Sequence, residues 1–213
     1  HGKSYIRRDG LLPHSPGAHA IARYRDYIRL VLRRSGKRRY LSKDNNNILR
    51  LGALAERMWD CTFLLVIRKP LAHADSLLRQ HRRSVRSCDP FERDYLRWLV
   101  HHEFGADHRP FRFPGSPDGD PDSLDYWLAT WLACYRALEP VAEAHPNILV
   151  VPYERLCAEP QAWAAICERV GIKPTRLSEI RPVATAAPEL ERGPLIMAAD
   201  ALYARYLERC HFP

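Results

Sequence analysis

The sequence has 213 residues, of which 46% are hydrophobic, 10% aromatic and 27% charged. This composition excludes an intrinsically disordered chain, since such chains lack the apolar surface that a core requires. The 33 basic and 25 acidic residues give a net charge of +8. Only five of the basic residues are lysines, and this arginine-rich composition favours an anionic ligand such as a phosphate or sulfate.

Amphipathic helices alternate with short apolar strands in the first half of the chain. Residues 62–67 are apolar throughout, which is typical of a strand buried on both faces and predicts a central parallel strand. Pro70 fits the first turn of the helix that follows it. In chain order, we predict a helix over 18–34, a short strand over 39–42, an Asn-capped helix ending near 58, the strand over 62–67 and a helix over 70–86.

The second half continues this alternation. In chain order, we predict a surface loop over 105–121, a helix over 123–144, a buried strand over 148–151, a helix over 160–170, a Pro-rich connection over 174–188 and a final helix over 195–209. Strands and helices in alternation imply right-handed βαβ units. We therefore expect a single α/β domain over residues 1–213, with helices on both faces of a parallel sheet.

Polar side chains follow the predicted strands, at the sheet edge where parallel sheets bind ligands. Lys43, Arg68 and the pair Tyr153-Glu154 each come directly after a strand. Ser76 lies eight residues beyond Arg68 on the next helix, so a guanidinium and a hydroxyl can converge beside a helix N-terminus. These groups are typical of a phosphate-binding site.

The motifs recur together in one known family. Residues 66–76 resemble the 3′-phosphate-binding segment of PAPS-dependent sulfotransferases, where a strand, an Arg, a Pro and a Ser eight residues past the Arg occur in order. Lys43 and its polar run precede that arginine by 25 residues, as in the family's strand-lysine segment. Residues 149–172 are similar to the family's strand-Tyr-Glu-x-Leu segment and the Pro-led helix and Gly after it. The chain resembles a bacterial-type sulfotransferase over residues 39–172.

The resemblance implies a role for each matching residue. Arg68 and Ser76 would hold the 3′-phosphate of the nucleotide, Tyr153 would position the adenine, and Lys43 would lie toward the transferred sulfuryl group. Arg192 resembles part of an Arg-Lys-Gly element that closes over the 3′-phosphate in some members. The resemblance also implies a three-layer, P-loop-NTPase-like fold, PAPS (3′-phosphoadenosine 5′-phosphosulfate) as donor substrate, and no metal.

Two segments depart from the family pattern. Members carry a strand and an Arg/Lys-Ser-Gly-Thr-Thr loop for the 5′-phosphosulfate, and nothing before Lys43 matches it, so we expect that loop on sequence absent from this chain. We therefore expect little or no sulfotransferase activity from these 213 residues alone. Residues 2–4, Gly-Lys-Ser, lack the earlier glycine and the strand of a P-loop. Many members also place a catalytic His two residues after the lysine, where this chain has Asn45. Four side chains are candidates for the general base on their chemistry alone: Asp44, His101, His102 and Glu103.

The expected reaction is transfer of a sulfuryl group from PAPS to a hydroxyl or amine of a small-molecule, lipid or glycan acceptor. One alternative is a nucleotide-dependent P-loop kinase, which would need a Walker-type loop and an acidic magnesium ligand at a strand end. The other is a non-catalytic sulfotransferase-like binding module that has lost its phosphate loop. The sequence does not specify the acceptor or the oligomeric state.

The remaining features indicate a cytoplasmic protein that binds neither metal nor nucleic acid. The six cysteines form no CxxC pair, and no apolar run is long enough for a membrane span or a signal peptide. The adjacent His101-His102 pair occurs without an HExxH motif, which argues against a metal site. Basic residues on the helix over 70–86 are interpreted as a solvated face. Three aromatic residues four apart are expected in the core: Trp127, Trp131 and Tyr135.

Overall fold

A computed structural model describes residues 5–87, 89–99, 101–174 and 193–210, which form a mostly helical fold around a small parallel sheet. The strands are β1, Phe63–Ile67, and β2, Ile148–Pro152. The α-helices of these residues are α1 Ala18–Ser35, α2 Leu51–Arg57, α3 Pro70–Arg86, α4 Pro90–Trp98, α5 Leu124–Ala144, α6 Tyr153–Ala158, α7 Pro160–Arg169 and α8 Pro194–Glu208, and a 3₁₀ helix spans Asn45–Arg50. Residues 2–4, Arg192 and nearly all of the predicted 174–188 connection lie outside the described residues.

Glycine and proline set the helix ends. The first residue of α3, α4, α7 and α8 is a proline, whose missing N–H has no intrahelical partner in a first turn. α1 ends at Gly36, which adopts a left-handed φ of 64° and donates its backbone N–H to Leu32 O. The predicted bounds of α1, α3, α5, α7 and α8 are confirmed to within the one or two residues by which such assignments vary.

The two strands are parallel neighbours, and their register aligns their carboxyl ends. Phe63 pairs with Ile148 and Ile67 pairs with Pro152. Both strands are followed at once by a helix, α3 after β1 and α6 after β2. The segments that follow the two strands therefore begin at the same edge of the sheet.

One face of the sheet packs on the main core. Leu65 and Ile67 of β1, with Ile148 and Val150 of β2, join a cluster built from α3, α5 and α8. The three predicted core aromatics are confirmed there, since all are buried: Trp127, Trp131 and Tyr135.

Among the described residues, a helix covers the opposite face of β2 but not that of β1. Leu149 and Val151 pack on Ile166 of α7. On the same face of β1, Leu64 and Val66 are 42% and 45% exposed. The prediction that β1 is buried on both faces is wrong for the described residues, because α7 lies over the neighbouring strand. The same prediction for β2 is confirmed.

Three further local predictions are corrected. Residues 39–42 form no strand, and the Arg39 guanidinium donates to the carbonyls of Val170 and Gly171. The cap before the 3₁₀ helix is Asp44 rather than an Asn, since its carboxylate accepts the Asn46 N–H. Two helices were not predicted, α4 and the short α6.

The predicted fold class is confirmed at the level of a mixed helix and strand protein with parallel strand pairing. No helix among the described residues combines the length and the apolar character needed to cross a bilayer. All five cysteines in the described ranges are free thiols: Cys61, Cys134, Cys157, Cys167 and Cys210.

Candidate functional site

The aligned carboxyl ends of β1 and β2 bring two of the predicted site residues into contact. Arg68 follows Ile67, and Tyr153 follows its partner Pro152. The guanidinium carbon of Arg68 lies 5.1 Å from the centroid of the Tyr153 ring, within cation–π range. Arg68 and Tyr153, which are 85 positions apart in the sequence, thus form one surface at this edge of the sheet.

Glu154 links this surface to the start of α3 and to α8. Its Oε1 accepts the backbone N–H of Lys69, the residue that precedes α3, at 2.9 Å. Its Oε2 accepts the hydroxyl of Tyr203 on α8 at 2.8 Å. Burial, together with this carboxylate, raises the pKa of Tyr203 above its usual range, so the phenol stays protonated and donates. The Lys69 amide is therefore already occupied by Glu154 and is not available to a ligand.

His73 is a buried neutral group beside the same edge. It lies on the first turn of α3, and its Nδ1 is buried with no hydrogen-bond partner in the described residues. Its ring centroid is 6.5 Å from that of Tyr135. Burial and, to a smaller extent, the nearby positive charge of Arg68 together lower the pKa of His73 to about 4. The uncharged imidazole adds no positive charge next to Arg68.

The other predicted site residues are placed differently. Ser76 lies on α3, partly buried, two turns beyond Arg68. Lys43 is exposed on the extended segment before the 3₁₀ helix, and no hydrogen bond or ion pair reaches it from the described residues. Arg192 cannot be placed, since it lies outside the described residues.

A second polar group forms around Glu103, one of the four candidate bases. Its side chain is buried, with 8% of the residue surface exposed. Glu103 Oε1 accepts hydrogen bonds from Asn45 Nδ2 at 2.8 Å and pairs with His101 Nδ1 at 2.9 Å. Glu103 Oε2 is buried and has no partner in the described residues. The structure therefore brings a carboxylate with one uncommitted oxygen to Asn45, two residues after Lys43.

Asp44, another candidate base, is engaged in other contacts, and the two candidate histidines lie in the segment after α4. Asp44 caps the 3₁₀ helix through Asn46 and forms an ion pair of 2.6 Å with Arg50. Burial lowers the pKa of His102, which favours the neutral imidazole. His101 and His102 follow α4 and lie outside any helix.

Sequence analysis missed an aromatic and histidine cluster next to Glu103. His81 of α3 was assigned to a basic helix face, but it is buried between the rings of His108 and Trp127 and accepts the Gly105 N–H at 3.3 Å. His108 Nε2 lies 2.9 Å from the Tyr126 hydroxyl. Burial lowers the pKa of His108 to about 4. The helical spacing of His81 from Leu78 and Ala74, both buried, was the available signal.

The charged surface of α3 is partly neutralised. Arg79 forms an ion pair with Asp75 at 2.9 Å and Arg82 with Asp122 at 3.2 Å, as expected of a solvated face. In the described ranges, no group of three or more His, Cys, Asp or Glu side chains is arranged to hold a metal ion.

Comparisons with known proteins give no neighbour for the chain. No protein-family model matches it, and neither a curated protein nor a solved structure matches it. A functional assignment must therefore come from the motif spacing and from the geometry described above.

Proposed function

We propose that this chain binds a 3′-phosphorylated adenine nucleotide at the edge formed by Arg68 and Tyr153, and that it belongs to a sulfotransferase using PAPS as donor. The observation that carries the proposal is the parallel register, which sets Arg68 against Tyr153 at the carboxyl ends of neighbouring strands. Parallel sheets bind nucleotides at that edge. The proposal includes the finer fold expectation, a three-layer P-loop-like sheet, which the helices on the two sides of β2 support.

The chemistry of the edge fits the ligand. Arg68 offers a guanidinium fork for a phosphate, and Ser76 offers a hydroxyl from the next helix. Tyr153 offers a flat ring beside the guanidinium, against which an adenine can stack. His73 stays neutral there, so Arg68 supplies the positive charge that the phosphate meets in this group of residues.

The proposed reaction is an in-line displacement at sulfur. A lone pair of the acceptor oxygen or nitrogen forms a bond to sulfur, while the bond from sulfur to the 5′-phosphate oxygen breaks and its electron pair leaves on that phosphate to give PAP. The acceptor loses its proton to a base. As in phosphoryl transfer, catalysis then depends on positioning and on cations near the moving charge. Lys43 is the proposed cation, as the family resemblance implies.

Glu103 is the proposed general base. Two partners, Asn45 Nδ2 and His101 Nδ1, hold its Oε1. Its Oε2 has no partner in the described residues and is buried, so receiving the acceptor proton requires the side chains that cover it to move. Its bond to Asn45 brings the carboxylate next to residue 45, the sequence position at which many sulfotransferases carry a catalytic histidine, and this supports the proposal. A base must lie within hydrogen-bond reach of the proton it removes, and a carboxylate held on one oxygen keeps the other in a fixed direction.

The test is isothermal titration of the 213-residue chain with PAP and with AMP, which lacks the 3′-phosphate. We expect PAP to bind about ten- to a hundredfold more tightly than AMP, the value of a charge-assisted phosphate contact. Arg68→Lys should remove most of that preference, because an ammonium cannot replace the fork. Arg29→Lys is the matched control, since Arg29 is an exposed arginine of α1 paired with Asp26. Equal affinity for PAP and AMP in the wild-type chain would contradict the proposal.

A further inference from the structure

Helix α4 turns its apolar side away from the protein. Three aromatic side chains of this nine-residue helix are exposed, with Phe91 at 73%, Tyr95 at 47% and Trp98 at 76% of the residue surface. Their rings stack in a row, with centroids 5.7 Å apart for Phe91 and Tyr95 and 6.3 Å apart for Tyr95 and Trp98. Surface helices normally bury their apolar stripe, so this arrangement is inverted.

The polar side of α4 is attached to the rest of the chain by ion pairs. Arg93 and Arg97 each form two hydrogen bonds to the Asp107 carboxylate, at 2.7 to 3.1 Å. Helix residues are about 100° apart, so positions 91, 95 and 98 fall within about 60° of one another, and positions 93 and 97 lie roughly 150° away. The ion pairs therefore fix the direction in which the aromatic row points.

The size of the exposed row argues against a second copy of the chain as its partner. Three aromatic residues exposed to these extents offer roughly 300–500 Å² of apolar surface. A stable protein interface needs about 800 Å² from each partner. The exposed aromatic surface is therefore smaller than a stable protein interface needs, but it is large enough for shallow insertion into a bilayer.

The net charge of the chain, +8, favours an anionic partner. The arginines nearest α4 contribute little to that attraction, because Arg93 and Arg97 are paired with Asp107. Phe, Tyr and Trp beside arginines are the composition of helices that lie in the headgroup region of a bilayer, with the apolar face inserted and the polar face toward water or protein. Attraction to anionic lipid adds to the burial of the apolar face.

We propose that α4 is a membrane-docking helix, which inserts Phe91, Tyr95 and Trp98 into the interface of a bilayer containing anionic phospholipid. This binding is peripheral and goes beyond the proposed reaction, on which it does not rest. The helix lies flat on the lipid surface, with Arg93 and Arg97 holding it to the rest of the chain through Asp107.

The experiment is co-sedimentation of the 213-residue chain with phosphatidylcholine vesicles, with and without phosphatidylglycerol. We expect binding to the vesicles that contain phosphatidylglycerol and weaker binding to phosphatidylcholine alone. Trp98→Ser should weaken binding about tenfold or more. Trp59→Ser is the matched control, since Trp59 is 78% exposed but lies outside α4. Equal binding by the two variants, or no binding by the wild-type chain, would overturn the proposal.

A second measurement reports the location of the contact directly. Lipids brominated in the acyl chain should quench tryptophan fluorescence on binding, and Trp98→Phe should remove that quenching while the protein still binds. Trp59→Phe should leave the quenching in place. Sedimentation equilibrium without lipid should show a monomer, and a dimer that Phe91→Ser dissociates would show that a second copy, rather than a membrane, covers the helix.

Discussion

The side-chain amide of Asn45 donates a hydrogen bond of 2.8 Å to Glu103 Oε1, across 58 positions of sequence. Because His101 Nδ1 pairs with the same oxygen, the carboxylate is held from two directions. An oriented carboxylate next to the lysine segment can act on an acceptor proton, whereas a buried carboxylate with two partners can also serve stability alone. A conservative substitution of Glu103 distinguishes the catalytic role from the stabilising one.

Glu103→Gln should stop catalysis but not nucleotide binding. The amide keeps the side-chain volume and an oxygen acceptor for Asn45, but it cannot take a proton. In a protein that also carries the expected 5′-phosphosulfate loop, we expect release of PAP from PAPS with water as acceptor to slow by about 10²- to 10⁴-fold. The affinity for PAP should stay at the wild-type value. Chromatographic detection of PAP and a calorimetric titration measure the two quantities. Wild-type turnover by Glu103→Gln would show that Glu103 is structural.

Tyr153 should act through its ring rather than its hydroxyl. Tyr153→Phe keeps the face on which Arg68 lies and should bind PAP like the wild type. Tyr153→Leu removes the ring on which adenine is proposed to stack, and it should weaken PAP binding about five- to a hundredfold, the value of a base–aromatic stacking contact. Titration of both variants with PAP is the measurement. Equal affinity for Phe and Leu variants would mean that the ring does not contribute.

The sequence placed Arg68 and Tyr153 correctly because both directly follow apolar strands. Strand apolarity and parallel pairing are local and general properties, and together they align the strand ends. The contact of Asn45 with Glu103 could not be foreseen, since no periodicity links a polar run to a turn 58 residues away. Glu103 therefore entered only as one of four candidates.

Sequence reasoning missed two features for different reasons. α4 had local signals that the prediction did not use, since Asp89 caps the helix, Pro90 lies in its first turn and the apolar residues 91, 95 and 98 share one face. Asn147 is a different case, because its amide donates to the carbonyls of Ala55 and Cys61 and so joins the end of α2 to the start of β2. In the sequence this residue is one of a short polar run before a strand and predicts only a turn.

Acid should destabilise the protein through His73. Burial lowers the pKa of this histidine to about 4, whereas an unfolded histidine has a value of about 6.5. Between these values the unfolded state binds more protons, so the folded state loses stability as the pH falls. One such histidine removes about 2 kcal/mol between about pH 7 and pH 5. His108, with a pKa also lowered to about 4, should contribute in the same direction.

Urea unfolding at the two pH values checks this expectation. His73→Gln should lose less stability on acidification than the wild type, by roughly 2 kcal/mol. His19→Gln, at an exposed position of α1, is the control and should lose as much as the wild type. An unchanged pH dependence in His73→Gln would show that His73 is accessible to protons in the folded protein.

The exposed face of β1 should tolerate substitutions that the core face does not. Leu64 and Leu65 are adjacent on the same strand, but the first is exposed and the second is buried against α3 and α5. Threonine suits a strand, so Leu64→Thr should change the free energy of unfolding by about 0.5 kcal/mol or less. Leu65→Thr removes buried methyl groups and buries a hydroxyl, and it should cost about 2–5 kcal/mol. Urea denaturation of the two variants measures both values under the same conditions. A cost at Leu64 as large as that at Leu65 would show that both faces of β1 are covered in solution, as the continuous apolar run from Phe63 to Ile67 predicts.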